Sequence, residues 1–263
     1  MSDSIQHERS TQPSTQTIGT PLRQFTSARV SLRRTGISLA TSEILDFQLA
    51  HAQARDAVKA DLDADAFAHR LRSEIPALAA TPVLTLASAA PDRATYLRRP
   101  DLGRILDASS AGRLHPAPCD VVFVVADGLS AIAVERHANP LLSLLTSALT
   151  DSGWQIGPVC IVKQARVAIG DQISQELGAR LAVVLIGERP GLSAPDSLGV
   201  YITWAPGPGH TDAERNCVSN IRTQGLEYPD AAAKITFYCN EARRLRYTGT
   251  ALKEINSPRI TTG

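Results

Sequence analysis

Close cysteine pairs are missing from this chain: Cys119, Cys160, Cys217 and Cys239 are scattered, and no Cys-x-x-Cys occurs. Structural zinc sites need such pairs, so none is expected. With 263 residues the chain can bury a core without disulfide staples, and a reducing cytosol is its natural setting. A charge excess is missing too. Lys plus Arg is 27 and Asp plus Glu is 26, a net of +1, which gives no electrostatic reason to expect nucleic acid or an anionic membrane as the main partner. The apolar runs break well short of the ~20 residues of a membrane span. The opening "MSDSIQHERSTQPSTQTIGTP" lacks the apolar centre of a secretory signal. A soluble cytoplasmic protein is expected.

The common catalytic signatures are also absent. No G-x-G-x-x-G follows an apolar run, and there is no G-x-x-x-x-G-K-[ST], so the usual cradles for dinucleotides and nucleoside triphosphates are missing. "ADGLSA" (126–131) superficially looks like a nucleophile elbow but lacks the glycine two places after Ser130. Ser130 reads better as the cap of a following helix. The six histidines show no H-E-x-x-H spacing. His137, beside Arg136 in a helical stretch, is expected to face solvent.

What is present falls into three segments. Residues 1–24 are polar and rich in Ser, Thr and Gln, the composition of a flexible tail. Residues 25–96 read as a helical segment. "TSEILDFQLAHAQARDAVKADL" has a Thr/Ser start with Glu43 following and apolar positions Ile44, Leu45, Phe47 and Leu49. A second helix starts at Asp63 or Asp65 and stops at Pro76. Residues 97–263 alternate apolar runs with helices. The runs lie in "DVVFVVADGLS", "GPVCIVKQARVAIGD", "RLAVVLIGERPG" and "LGVYITWAPGPG". Between them lie a helix from Ala131 expected to break at Pro140, a short helix stopped by Gly178, and a last one opened by Pro229 and Asp230. Apolar runs without alternation predict strands buried on both faces of a mainly parallel sheet, an α/β doubly wound, Rossmann-like fold.

Ligands of such sheets sit beyond the carboxyl ends of the strands. The residues there are Asp127, Gly128 and Ser130; Arg166 and Val167; Gly187 to Gly191; and Pro206 to His210. In "GERPG", Glu188 and Arg189 admit two readings. One is a solvated turn whose Arg pairs with an acid. The other is a ligand contact, with Gly187 and Gly191 letting backbone approach and Glu188 accepting hydrogen bonds. Taken alone, Cys217 and Val167 are small apolar groups with no assigned task.

Five stretches in fixed order carry more: "RRPDLGRIL", "VVADGLSAIAV", "ARVAIGDQISQELGAR", "IGERPGLSAPDSLGVY" and "ERNCVSNIRTQGLEYPDAA". Together they resemble the ethanolamine ammonia-lyase small-subunit family. The match runs from about residue 97 almost to the end, with a looser likeness back to "TSARVSLRRTG". The tail does not match, and the loop "APGPGHTDA" looks shorter and richer in glycine and proline than in the family.

The resemblance implies an adenosylcobalamin-dependent lyase that converts ethanolamine to acetaldehyde and ammonia. It also implies a hetero-oligomer, whose large subunit carries the substrate site and the catalytic residues. This chain would help enclose the cofactor through Val167, Glu188 and Cys217. Missing "D-x-H-x-x-G", it would bind the cofactor base-on. Enclosure in a bacterial microcompartment is a family trait left open, since the tail shows no clear amphipathic stretch.

Two other classes stand beside this one. A self-sufficient α/β enzyme acting on a small metabolite or nucleotide would use Asp127, Ser130, Glu188 and Arg189. A structural partner would use the same strand ends only as an interface.

Overall fold

A computed structural model describes residue 25, residues 28–30 and residues 32–253; the 1–24 segment read as a tail lies outside them. The chain divides into two compact units, residues 1–51 and 52–263. The described part of the first holds a hairpin, β1 (Arg34–Thr35) and β2 (Ser38–Leu39), and the opening turns of helix α1 (Thr41–Lys59). Within it the Arg29 guanidinium lies over the Phe47 ring, while Ile44, Leu45 and Leu49 are exposed.

The second unit continues through α2 (Ala64–Glu74), β3 (Val83–Ala87), α3 (Arg93–Arg98), α4 (Ala108–Ala111), β4 (Cys119–Ala126) and α5 (Ala131–Asp151). There follow β5 (Ile156–Lys163), α6 (Ile169–Leu177), β6 (Ala179–Gly187), β7 (Leu198–Trp204), β8 (Asn216–Ile221) and α7 (Tyr228–Leu245). Six strands form one sheet in the order β3-β5-β4-β6-β7-β8. The pairings from β3 to β6 are parallel, whereas β7 and β8 return antiparallel. The α/β, mainly parallel expectation holds, in a mixed six-stranded sheet. β3 emerges from the stretch read as helical, because "VLTLA" is too short and too half-buried to show a period.

The apolar runs are continuous because both faces of β4 are buried. Val121, Phe123 and Val125 join one core under α2, α5 and α7; Val122, Val124 and Ala126 join a second under α6. At about 25 cal/mol per Å², this double burial is the main stabilising term. The free edge of β3 is blunted by side chains: Arg72 donates to the Val83 carbonyl at 3.2 Å and Arg113 to that of Thr85 at 2.6 Å.

Helix signals are mostly as the residues suggest. Asp63 caps α2 by accepting from the Ala66 N–H at 3.0 Å, and Gly178 stops α6 at φ 74°. The break expected at Pro140 does not occur. α5 runs through it, because Pro140 and Arg136, whose carbonyl loses its N–H partner, both face solvent.

His137, expected outside, is buried between α5 and α7. Its Nδ1 lies 2.7 Å from the Tyr228 hydroxyl and its Nε2 3.5 Å from Asp196. Burial lowers its pKa below the ordinary 6.5, and this outweighs the pull of Asp196 toward the charged form. The unfolded chain therefore takes up a proton at a higher pH than the folded one. The stabilisation is complete above pH 6.5 and lost as acid carries the pH down through the lowered folded value. In urea unfolding, the advantage of wild type over His137→Gln should shrink as pH is lowered from about 7.5 to about 5. An advantage constant across that range would contradict this account.

Candidate functional site

The strand ends of the parallel half are filled from within. Asp127, fully buried beyond β4, accepts from the backbone N–H of Gln164 at 2.9 Å and of Ala165 at 3.0 Å, with Arg93 at 3.5 Å. Burial raises its pKa against the pull of these partners. Ser130 caps α5 through the Ala133 N–H at 3.3 Å and donates to the Pro195 carbonyl at 3.0 Å.

Gly187 faces this turn and not a ligand. A Cβ there would stand 2.0 Å from the Ser130 carbonyl oxygen and 2.6 Å from that of Asp127. The expectation that Gly187 opens the backbone to a ligand is thus replaced by internal packing. At Gly191 a Cβ would meet nothing closer than 3.9 Å, so no close approach is seen there. Arg189 is exposed and, among the described residues, makes no ion pair, which removes the paired-turn reading.

Because β7 runs antiparallel, the Pro206–His210 loop lies at the opposite end of the sheet from Gly187. The Ala205 N–H donates to Arg180 at the start of β6, and His210 Nδ1 sits 3.0 Å from the Gly207 carbonyl. This corrects the placement of that loop among the ligand-side strand ends.

The same reversal assembles a different surface. Leu198, Val200 and Ile202 of β7 enter the core under α7. Gly199, Tyr201 and Thr203 therefore point to the other side. Tyr201 pairs with Cys217 of β8, and the exposed Cys217 and Ser219 lie along that strand's outer side.

Glu188, at the end of β6, turns back over this side: its Oε1 would be 2.9 Å from a Cβ on Gly199. Oε2 accepts from the Ser197 hydroxyl and from the Asn220 N–H at 3.2 Å. At the other end Arg215, buried, donates to both carboxylate oxygens of Asp171 in α6 at 2.7 and 2.6 Å and to Thr203 Oγ1 at 2.9 Å. That bidentate pair ties α6 to the hairpin.

Glu188 and Cys217 thus meet around Tyr201. Val167, half-buried in the turn leading into α6, packs on the same second core that Tyr201 borders. Although Cys217 is exposed at the surface, the protein packed around its sulfur desolvates the thiolate and pushes the thiol up, and the nearby charge of Glu188 adds to this against a hydrogen bond from Tyr201. Burial, Cys217 and Glu188 likewise raise the Tyr201 hydroxyl. With both pKa values raised, Tyr201 and Cys217 are protonated at neutral pH, and the Glu188 carboxylate lies beside them. Cys160 and Cys239 are core residues, pushed up to about 12 by burial. Tyr201, Gly199, Ser197 and Asn220 were missed by sequence reasoning. The alternation of Gly199, Tyr201 and Thr203 with Leu198, Val200 and Ile202 was the available signal.

Among the described residues there is no cluster of His, Cys, Asp and Glu fit to hold a metal ion, and no helix long and apolar enough to cross a membrane. Of the residues of the self-sufficient enzyme reading, Asp127, Ser130 and Glu188 are engaged by internal hydrogen bonds and Arg189 is exposed.

Residues 18–253 match the family described as "Ethanolamine ammonia-lyase light chain (EutC)". A relative from Ralstonia nicotianae named "Ethanolamine ammonia-lyase small subunit" is 51% identical over 239 residues, 89% of this chain and 87% of its own length. Proteins of the same name from Pseudomonas aeruginosa and Azotobacter vinelandii are each 50% identical. They cover 89% and 92% of this chain, and 86% and 90% of their own lengths.

The two glycines of the "GERPG" turn should respond differently to alanine. Gly187→Ala forces the β4–α5 turn to move and should cost about 1–3 kcal/mol in urea unfolding, the usual range for overpacking. Gly191→Ala should stay within about 0.5 kcal/mol of wild type, as surface changes do. Equal losses at the two sites would contradict the assignment of Gly187 to internal packing.

Proposed function

The chain belongs to the ethanolamine ammonia-lyase small-subunit family, and from that premise we propose that it binds adenosylcobalamin on the open side of the β7–β8 hairpin, paired with a large subunit. The observation that supports this most is the state of Glu188. Its carboxylate is fixed at Oε2 by Ser197 and Asn220, while Oε1 accepts no hydrogen bond among the described residues.

A corrin is a broad apolar disc rimmed with amides, and amide N–H groups seek carboxylate or carbonyl acceptors. The donor set fits such a rim. Glu188 would accept one amide N–H. The protonated Cys217 and the half-buried Val167 would give small apolar contacts, and the Tyr201 ring would lie between them. This surface lies within residues 97–263, read as the cobalamin-binding domain.

When bound, adenosylcobalamin supplies an organic radical by homolysis of its cobalt–carbon bond, which drives conversion of ethanolamine to acetaldehyde and ammonia. This chain's part is to bind, orient and exclude water. Among the described residues there is no paired base and nucleophile, and the groups that handle the substrate belong to the large subunit. Val167 and Cys217 shape the contact; Glu188 gives it direction.

Glu188→Ala, prepared in complex with the large subunit, should weaken cobalamin binding about ten-fold, as for a lost charge-assisted hydrogen bond. Turnover of ethanolamine at saturating cofactor should stay within about two-fold of wild type. Spectroscopic titration gives the affinity. Equal affinities in mutant and wild-type complexes would contradict the role of Glu188.

A further inference from the structure

Three features converge on the Glu188 carboxylate from within the chain. The Ser197 hydroxyl, itself buried, donates to Oε2, and the Asn220 backbone N–H donates to the same oxygen at 3.2 Å. Gly199 lies beneath the group. A Cβ there would have as its three nearest atoms Oε1 at 2.9 Å, Cγ at 3.1 Å and Cδ at 3.3 Å, all of Glu188. Gly199 does not adopt a positive φ, so its backbone would accept alanine; what the missing side chain provides is a seat for the carboxylate.

We infer that Ser197 and Gly199 are positioning residues that hold Glu188 with Oε2 spent inside the chain and Oε1 left to accept one N–H or O–H of a bound ligand. This rests on the role proposed for Glu188 and goes further in naming the oxygen and what aims it. A free glutamate on a strand-end turn samples several rotamers and must be ordered when a ligand arrives. Here that ordering is complete beforehand, which is how preorganisation raises affinity without adding a contact. The geometry also sets the ligand chemistry. With both internal bonds on Oε2, Oε1 keeps its acceptor capacity for a ligand. It favours a primary amide or hydroxyl and rejects a carboxylate at the same place.

The test titrates adenosylcobalamin into the complex with the large subunit and follows cofactor absorbance for wild type and five variants: Glu188→Ala, Ser197→Ala, Ser197→Thr, Gly199→Ala and the Glu188→Ala/Ser197→Ala double variant. Ser197→Ala and Gly199→Ala should each raise Kd about three- to ten-fold, no more than Glu188→Ala does, with Ser197→Thr within about two-fold of wild type because it keeps the hydroxyl. The double variant should bind no more weakly than Glu188→Ala alone, since Ser197 acts only through that carboxylate.

Wild-type affinity in Ser197→Ala and Gly199→Ala, with Glu188→Ala weakened, would overturn the positioning role while leaving the binding role intact. A full additional loss in the double variant would overturn it equally. Wild-type affinity in Glu188→Ala would remove the binding role and this inference with it. Should Ser197→Ala impair assembly, Gly199→Ala, whose added methyl meets Glu188 first, decides the matter alone.

Discussion

The reversal of chain direction at β7 is the constraint on which the proposed site depends. Up to β6 each strand is followed by a crossover, and helices lie over both faces of the sheet. At β7 the chain turns back along β6, and β8 turns back along β7, so neither needs a crossover. Helix α7 covers one side of this hairpin by burying Ile235 and Cys239 against Val200, Ile202 and Val218. The other side keeps Tyr201 half-buried and Cys217 and Ser219 exposed. The buried Arg215–Asp171 pair fixes α6 beside the hairpin. Removing either partner would strand a charge in a dry place, a loss of about 3–5 kcal/mol for pairs of this kind.

This explains why only Val167 and Glu188, of the residues beyond the carboxyl ends of the parallel strands, enter the candidate site. Beyond β4 and β5 the space is occupied by the chain's own polar groups: Asp127 on the Gln164 and Ala165 N–H groups, and Arg93 on the carbonyls of Val58 and Gly128. Gly187 is locked against the Ser130 carbonyl. An acceptor for a ligand has to come from a residue that clears this packing. Glu188 is the next residue along, already past the strand and over Gly199.

The sequence makes the buried half of the sheet plain and the open half obscure, for a physical reason. Strands covered on both faces, such as β4 with Val121 to Ala126, read as unbroken apolar runs, here bounded by the turn residues Asp127 and Gly128. β7 reads as a similar run only because glycine and tyrosine pass for apolar. Gly199, Tyr201 and Thr203 in fact mark a second face of different character. β8, "NCVSNI", has too few apolar residues to register as a strand, and its place is set by pairing with β7. Glu188 stood out through its setting in "GERPG". Its partners could not, since Ser197 and Asn220 reach it only once the hairpin has formed. Val167 and Cys217 were singled out by family resemblance alone, because a valine and a cysteine carry no chemical signal of their own.

The most direct measurement of the central claim is a structure of this chain in complex with the large subunit and cobalamin bound. The account predicts a corrin side-chain amide about 3 Å from Glu188 Oε1, a normal hydrogen-bond distance, with Cys217 and Val167 against the ring system. Cobalamin held elsewhere, with the Tyr201 side of the hairpin facing solvent, would contradict it.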